Sequence, residues 1–341
     1  MQLFLNKAGI RLGVRDGRYH IRHADGEESV PPGQVSSICL NRAASLSYEA
    51  VMLAVEHETE ILFIDGKGFP FARLWSPRYG SISTIRKNQV RFAQSPAAVE
   101  WIRQILLRKT ENQTVLLSLL RSLDPAVTLQ VTDALTRLER YRARILEIQG
   151  EDIAQAGASF RGLEGKCGFV YFRAISDCLP DQYRFEKRSK HPALDMFNSL
   201  LNYAYGMLYG RVEHALIRAG IDPYLGILHR DEYNRPVLVY DVIEPYRIWA
   251  EYVVVKLCMD QAIFIEFFEI SQGAFWLADI GKRILIQSLN DYLDEVVEIK
   301  GQRRSRQTHI DLEAQQLAAM FKSFDPGSPE PDAAGEPDPD V

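Results

Sequence analysis

The residues best placed to do chemistry lie between Gly226 and Arg247, in GILHRDEYNRPVLVYDVIEPYR. His229 is followed by a polar turn (Asp231, Glu232, Tyr233, Asn234, Arg235, Pro236) and then by an apolar run that carries Asp241 and Glu244. Pro236 suits the first turn of a helix, where its missing N–H costs nothing. A helix starting there puts Asp241 and Glu244 on one face, because their spacing is i, i+3. Val237, Leu238, Val239, Tyr240, Val242 and Ile243 make the surroundings apolar. Two carboxylates in such a run cost free energy unless a cation or hydrogen-bond donors meet them. Arg247, one helical turn beyond Glu244, is an available donor.

A second stretch, ASFRGLEGKCGFVYFRAISDCL from Ala158 to Leu179, reads as an amphipathic helix with Leu163, Phe169, Phe172 and Ile175 facing a core. Gly162, Gly165 and Gly168 recur every third residue within it. Each glycine in a helix interior costs about 0.5–1 kcal/mol relative to alanine. Close approach of another backbone is the expected reason for them. Glu164 stands among these glycines. Glu164, His229 and the acids of the later helix form a candidate divalent-metal set. Spacing alone leaves a second reading open, a satisfied histidine and solvated acids.

LEG and YF (Leu163–Gly165, Tyr171–Phe172), DMFNSLLNYAYGMLYGRV (Asp195–Val212) and DPYLGILH…VYDVIEPYR (Asp222–Arg247) follow one another in this order. Together they resemble the metal-dependent integrase/endonuclease family of CRISPR spacer acquisition. The likeness runs from Met1 to about Phe321 and is strongest between Leu163 and Arg247. It implies that Glu164, His229 and Glu244 bind a divalent metal, with Asp241 as an additional acidic group in a four-residue catalytic set. An Asp stands at the last position in some members, and the Glu here keeps the ligand chemistry. Oxygen ligands suit Mg²⁺ or Mn²⁺, and the imidazole nitrogen favours Mn²⁺. The resemblance further implies a homodimer joined partly through N-terminal β domains. It implies a small ferredoxin-like adaptation partner, and as substrates double-stranded DNA with single-stranded 3′ ends and CRISPR repeat DNA. Alternatives from other classes are a stand-alone metal-dependent nuclease acting on branched or single-stranded DNA in repair, and a DNA-binding scaffold without chemistry.

Asp241 has several available roles: orienting His229, holding a metal-bound water, accepting a proton from an attacking hydroxyl, or resting at a helix N-terminus as a dipole-stabilised acid. Candidate DNA contacts are Arg184, Lys187 and Arg188, with Lys190, interleaved with Phe185 and preceded by Tyr183. Flexible cations beside aromatic rings suit a phosphate backbone and an unstacked base; a solvated loop is the plain alternative. Arg230, Arg235 and Arg247 flank the metal candidates and are further candidates for phosphate contact, and Arg247 also has Glu244 and Glu251 as structural partners. The RRSR cluster (Arg303, Arg304, Arg306) reads as a solvated loop before a DNA contact. Asn198 and Asn202, one helical turn apart, read as packing residues before active-site ones.

The elements that must position these groups follow from the rest of the chain. Its 341 residues suit two domains. Residues 1–80 read as a small, mostly antiparallel β domain with one helix, which the resemblance implies is used for dimerisation. Asp16-Gly17 is its clearest hairpin turn, and Ser45 or Ser47 caps the helix over 46–58. Residues 81–322 read as an all-helical catalytic, metal- and DNA-binding domain, so the fold class is α+β. Ser95-Pro96 and Asp124-Pro125 open two of its helices. Residues 323–341 read as a disordered acidic tail, rich in proline and poor in apolar residues. Six of the 45 acids lie in 325–341 without a single base, so the net charge of −5 resides there and the remaining body is near neutral. Local basic clusters then decide nucleic-acid binding. No run approaches the length of a membrane helix, and no secretory signal opens the chain. Cys39, Cys167, Cys178 and Cys258 have no CxxC spacing, which fits buried thiols and a cytoplasmic location. Walker, GxGxxG, GxSxG and HExxH patterns are absent.

Overall fold

The computed structural model describes residues 2–325 apart from 6–8, 25, 36, 58, 65–69, 75–81, 124, 230–232 and 234. The chain divides into two compact units, Met1–Gly80 and Ser81–Val341.

The first unit holds β1 (Gln2–Leu5), β2 (Arg11–Arg15), β3 (Arg18–His23), β4 (Gly26–Val30), β5 (Ser37–Leu40), β6 (Ser45–Leu46), α1 (Tyr48–Glu56), β7 (Glu60–Ile64) and β8 (Pro70–Arg73). They form two sheets, β1-β5-β7-β8 and β4-β3-β2-β6. The β2–β3 hairpin turns at Asp16 and Gly17, which both take positive φ (52° and 69°), the geometry a two-residue turn needs. Ser47 accepts from the Ala50 N–H and starts α1. β2/β3, β3/β4 and β7/β8 pair antiparallel, and the unit also holds parallel pairs at β1/β5, β5/β7 and β2/β6. Parallel neighbours need crossover connections, and no local turn signal betrays those. Leu3, Leu5, Leu12, Tyr19, Ile21, Ile38 and Ile61 build this unit's own core.

The second unit is helical. Its elements are α2 (Ile82–Ala93), α3 (Pro96–Leu123), α4 (Thr128–Leu146), α5 (Ile153–Cys178), α6 (Met196–Arg218), α7 (Val237–Val242), α8 (Arg247–Met259), β9 (Phe268–Ser271), β10 (Ala274–Leu277), α9 (Asp279–Asp294), β11 (Val296–Ile299), β12 (Gln302–Ser305) and α10 (Arg306–Ser323). The hairpins β9–β10 and β11–β12 interrupt the expected run of helices. They turn at Gln272-Gly273 and Lys300-Gly301, all four with positive φ. The basic cluster falls on the second hairpin. Arg303 and Arg304 are exposed, whereas Arg306 opens α10, pairs with Glu295 at 2.6 Å and lies over the Tyr292 ring.

Asp152 caps α5 by accepting from the Gln155 N–H, and Asp195 caps α6 by accepting from the Asn198 N–H. The buried stripe of α5 is Phe160, Leu163, Cys167, Val170, Tyr171, Ala174, Ile175 and Cys178. Phe169 falls off that stripe and is 62% exposed, so it is not a core residue. A Cβ at Gly162, Gly165 or Gly168 would meet no atom within 4 Å, which overturns the expected close backbone approach. All four cysteines are free and buried. Among the described residues no helix is long and apolar enough to cross a membrane.

The folded unit runs slightly past the expected start of the tail. Ser323 ends α10, and the Phe324 ring meets Phe92 edge-on at 5.3 Å, beside Phe321. The acidic residues from 326 onward lie outside the described residues. Phe324→Ala should lower the unfolding free energy by about 1–2 kcal/mol through lost apolar burial. Urea unfolding would read this, and an unchanged midpoint would place the end of the domain before residue 324.

Candidate metal centre

Two carboxylates meet at one ammonium. Lys109, on α3, places its Nζ 2.8 Å from Glu164 Oε1 on α5 and 2.5 Å from Glu244 Oε2. The Lys109 and Glu244 side chains are 11% and 3% exposed, so these charges sit largely out of water. Glu244 does not share a helix with Asp241, contrary to expectation. α7 stops at Val242, and Glu244 opens a separate 3₁₀ turn, Glu244–Tyr246, that leads into α8. Pro245 has no N–H to continue the α7 ladder.

The turn is fastened to α3 next to the ion pair. Asn112 Nδ2 donates to the Pro245 carbonyl at 2.8 Å. The Tyr246 hydroxyl donates to Glu313, which also pairs with Arg108 at 2.5 Å. Arg108, Lys109 and Asn112 thus hold the Glu244 joint from one helix. On the other side Arg247 Nε donates to Glu244 Oε1 at 2.8 Å. Its guanidinium lies 4.7 Å from the Tyr205 ring centroid and 5.3 Å from that of Tyr209, whose hydroxyl accepts from it. Burial would push the Glu244 carboxyl up, but the charges of Arg247 and Lys109 outweigh it and hold it at about 2. The stabilisation from this pairing is present above the ordinary carboxylate range and is lost as pH falls through about 2. The Lys109 ammonium is disfavoured by burial and rescued by Glu244 and Glu164, which raise its pKa overall.

His229 stands on a loop organised by Asp241. The Asp241 carboxylate is fully buried and accepts from the N–H groups of Ile227 (2.8 Å), Leu228 (3.0 Å) and His229 (3.2 Å). His229 Nδ1 lies 2.6 Å from Asp241 Oδ1. A carboxylate accepting three N–H bonds takes the Nδ1 proton as donor, which leaves Nε2 with the lone pair. Asp241 therefore has no oxygen to spare for a water or an attacking hydroxyl; of its expected roles the structure favours orienting His229. Burial pushes the Asp241 carboxyl up. His229 is lowered by burial but raised on balance by Asp241, Glu164 and Glu244. The loop is braced by Arg161, which donates to the Leu228 carbonyl, and by Gln89 of α2, which bonds Asp222 and Leu225. His229 and Arg161 line a cavity of about 240 Å³. A Cβ on Gly226 would collide with the His229 carbonyl oxygen and with Val237, so close packing demands glycine here rather than at Gly162, Gly165 or Gly168.

The expected ligands are thus only partly brought together. Glu164 and Glu244 face one cation position, while Asp241 holds the His229 ring. Among the described residues no three His, Cys, Asp or Glu side chains form a ready metal cluster. The donors still suit a divalent ion. Glu244 Oε2 is buried and meets the Lys109 ammonium at 2.5 Å, a cation position between two carboxylates.

The basic segment is ordered rather than loose. Asn198 donates to the Lys187 carbonyl and accepts from Arg188; Asn202 donates to the carbonyls of Ser189 and Lys190 and accepts from Arg188 at 2.9 Å. Arg188 is drawn inward, between the rings of Phe172 (5.3 Å) and Tyr205 (5.8 Å). Lys187 and Lys190 are exposed. Desolvation at the rim, with the charges of Arg247 and Arg188, pushes the Lys190 ammonium down, while Glu244 and Glu164 pull it up. Arg184 pairs with Asp181 at 2.9 Å. Arg235 is exposed, and Arg230 lies outside the described residues. Beneath the site, buried Glu251 accepts from the hydroxyls of Tyr171 (2.6 Å) and Tyr205 (2.5 Å). Sequence reasoning missed Lys109, Asn112, Gln89 and this tyrosine–glutamate floor.

Asp241→Asn replaces an acceptor of N–H groups with an amide that must aim its own N–H at one of them. The expected loss is about 1–3 kcal/mol of stability, the cost of an unsatisfied buried group, with larger amide-exchange rates at Ile227–His229. Gly226→Ala should loosen the same amides. Unaltered exchange in both variants would mean that the loop is held by something else.

Comparisons with known proteins carry this geometry into a family. Residues 3–291 match the family model described as CRISPR associated protein Cas1. The CRISPR-associated endonuclease Cas1 1 of Archaeoglobus fulgidus is 26% identical over 334 residues, which cover 94% of this chain and 96% of that one. Among solved structures, a casposase bound to integration product aligns with TM-score 0.74 and 22% identity, over 94% of this chain and 90% of that one. A chain of a Cas6-RT-Cas1–Cas2 complex aligns with TM-score 0.74 and 21% identity; the match spans 94% of this chain and 35% of that longer one. The chain belongs to the CRISPR-associated Cas1 family.

Proposed function

We propose that this chain is a divalent-metal-dependent DNA integrase and endonuclease of CRISPR spacer acquisition. The convergence of Glu164 and Glu244 on one cation position carries this reading. In the proposed reaction the 3′-hydroxyl of a short DNA fragment attacks a phosphodiester at the edge of a repeat. One P–O bond forms to the incoming oxygen and one breaks to the departing 3′ oxygen, which takes a proton. The exchange needs no nucleotide triphosphate and no covalent enzyme intermediate. With water in place of the hydroxyl, the same site hydrolyses.

Glu164, Glu244 and Nε2 of His229 would hold Mn²⁺ or Mg²⁺, which supplies Lewis-acid polarisation of the phosphoryl oxygens. Asp241 fixes the imidazole tautomer and its aim. Arg247 keeps Glu244 ionised and in place between two tyrosine rings. Lys187 and Lys190, presented on a segment pinned by Asn198 and Asn202, meet the phosphate backbone of the DNA. The likeness to chains solved with integration product and in a Cas1–Cas2 assembly supports DNA and a small adaptation partner as ligands. The β-rich unit serves as the homodimer contact in this reading.

An integration assay on a supercoiled repeat plasmid, with Mn²⁺ and the small partner, tests it. Glu164→Gln should abolish integration and hydrolysis while the melting temperature and dimer stay near wild type. Retained activity would make the metal assignment wrong, and a wild-type protein inactive at every Mn²⁺ concentration would leave a DNA-binding scaffold. Lys187→Glu with Lys190→Glu should instead weaken DNA binding and flatten its salt slope by about one unit per lost phosphate contact, with the rate at saturating DNA preserved. His229→Ala should lose rate with little change in DNA affinity, because a neutral imidazole releases no counterion.

A further inference from the structure

Lys109 sits where the divalent ion of the proposed site belongs. Its Nζ touches one oxygen from each carboxylate, at 2.8 Å and 2.5 Å. The other Glu244 oxygen is taken by Arg247. Two cations therefore balance two carboxylates, and the pocket is electrically closed as it stands. A divalent ion on the same oxygens would lie within a few ångströms of the ammonium. Two cations at that distance in a largely desolvated site repel strongly, so the ammonium must leave.

The side chain, and not the helix, is free to do so. α3 is fastened on either side of Lys109 by Arg108 through Glu313 and by Asn112 through the Pro245 carbonyl. Lysine carries its charge on a flexible four-carbon stem. Once displaced, the ammonium needs another anion. Glu251 is already engaged by two tyrosine hydroxyls. The remaining anion brought to this pocket is a phosphodiester of the DNA.

We propose that Lys109 is a resident counter-ion that holds the metal position until substrate arrives, so that the divalent ion and the DNA phosphate bind cooperatively. This rests on the metal reading above. Linkage makes the effect reciprocal: whatever DNA adds to metal affinity, metal adds to DNA affinity. Lys109 acts as a positioning residue toward the ion.

Mn²⁺ binding, followed by the electron paramagnetic resonance of free Mn²⁺, tests this without turnover. The proteins are wild type, Lys109→Gln and Glu164→Gln, each alone and with a short duplex blocked at its 3′ ends. Wild type should bind Mn²⁺ about tenfold tighter with the duplex than without, a size common for coupled sites. Lys109→Gln should bind tightly in both conditions, so that the duplex no longer matters. Equal or weaker Mn²⁺ binding by Lys109→Gln without DNA would overturn the proposal. Should that variant not fold, the wild-type comparison decides alone: a duplex that leaves Mn²⁺ affinity unchanged sinks the idea. Glu164→Gln separates the two levels. Mn²⁺ binding that survives Glu164→Gln removes the metal site itself, whereas binding that needs Glu164 but ignores Lys109 removes only the counter-ion.

Discussion

Everything in the helical unit is arranged around carboxylates that must not be left alone. Glu244 is nearly inaccessible to water, and a buried carboxylate without a partner is far too costly to keep ionised. Lys109 and Arg247 meet that demand from two different helices. Each of those cations is itself desolvated and needs a fixed neighbour. That requirement spreads outward, to the tyrosine rings around Arg247, to Asn112 on the Pro245 carbonyl, and to the Arg108–Glu313–Tyr246 contact with α10. The 28 residues of α3 are the common spine, since Arg108, Lys109 and Asn112 supply three attachments within one turn and a half.

The His229 loop solves a different problem with the same means. An irregular segment cannot satisfy its own backbone N–H groups, and here one carboxylate accepts three of them while orienting an imidazole. The loop's shape and the ring's tautomer are thereby one property. That explains why Asp241 stands beside a candidate ligand yet has no free oxygen of its own.

Much of this was legible in the sequence, for reasons that can be stated. Asp16-Gly17, Ser47 and Pro96 act within a few residues, and each marks the boundary it promised. Glu164 stood out among recurring glycines and Glu244 as an acid in an apolar run, and the family resemblance joined them to His229. Their mutual placement was not legible, because it depends on which helix lies across from which. Lys109 had a local signal that went unread. Ile102, Leu106, Lys109, Thr110, Gln113 and Leu117 recur at helical spacing, all buried, so a lysine stood on a core-facing stripe, where only a partnered charge can stay. The glycines of α5 misled by the reverse route. Their spacing suggested contact, while Gly226, where a Cβ would strike the His229 carbonyl oxygen, stood alone in a loop. The parallel pairings of the β unit were hidden because crossovers leave no local turn signal, and the two late hairpins because alternation over four residues hardly differs from a helix fragment.

The clamp formed by Asn198 and Asn202 has a consequence for how the chain can vary. The segment from Lys187 to Lys190 has the composition of a surface loop, and loops ordinarily absorb insertions and deletions. Here the carbonyls of Lys187, Ser189 and Lys190 and the Arg188 guanidinium are matched to two amides spaced one helical turn apart. Adding or removing a single residue would shift every one of those matches out of phase. The length of this segment is therefore as constrained as a strand register, and natural or engineered length changes belong elsewhere, at the exposed Gln272-Gly273 and Lys300-Gly301 turns.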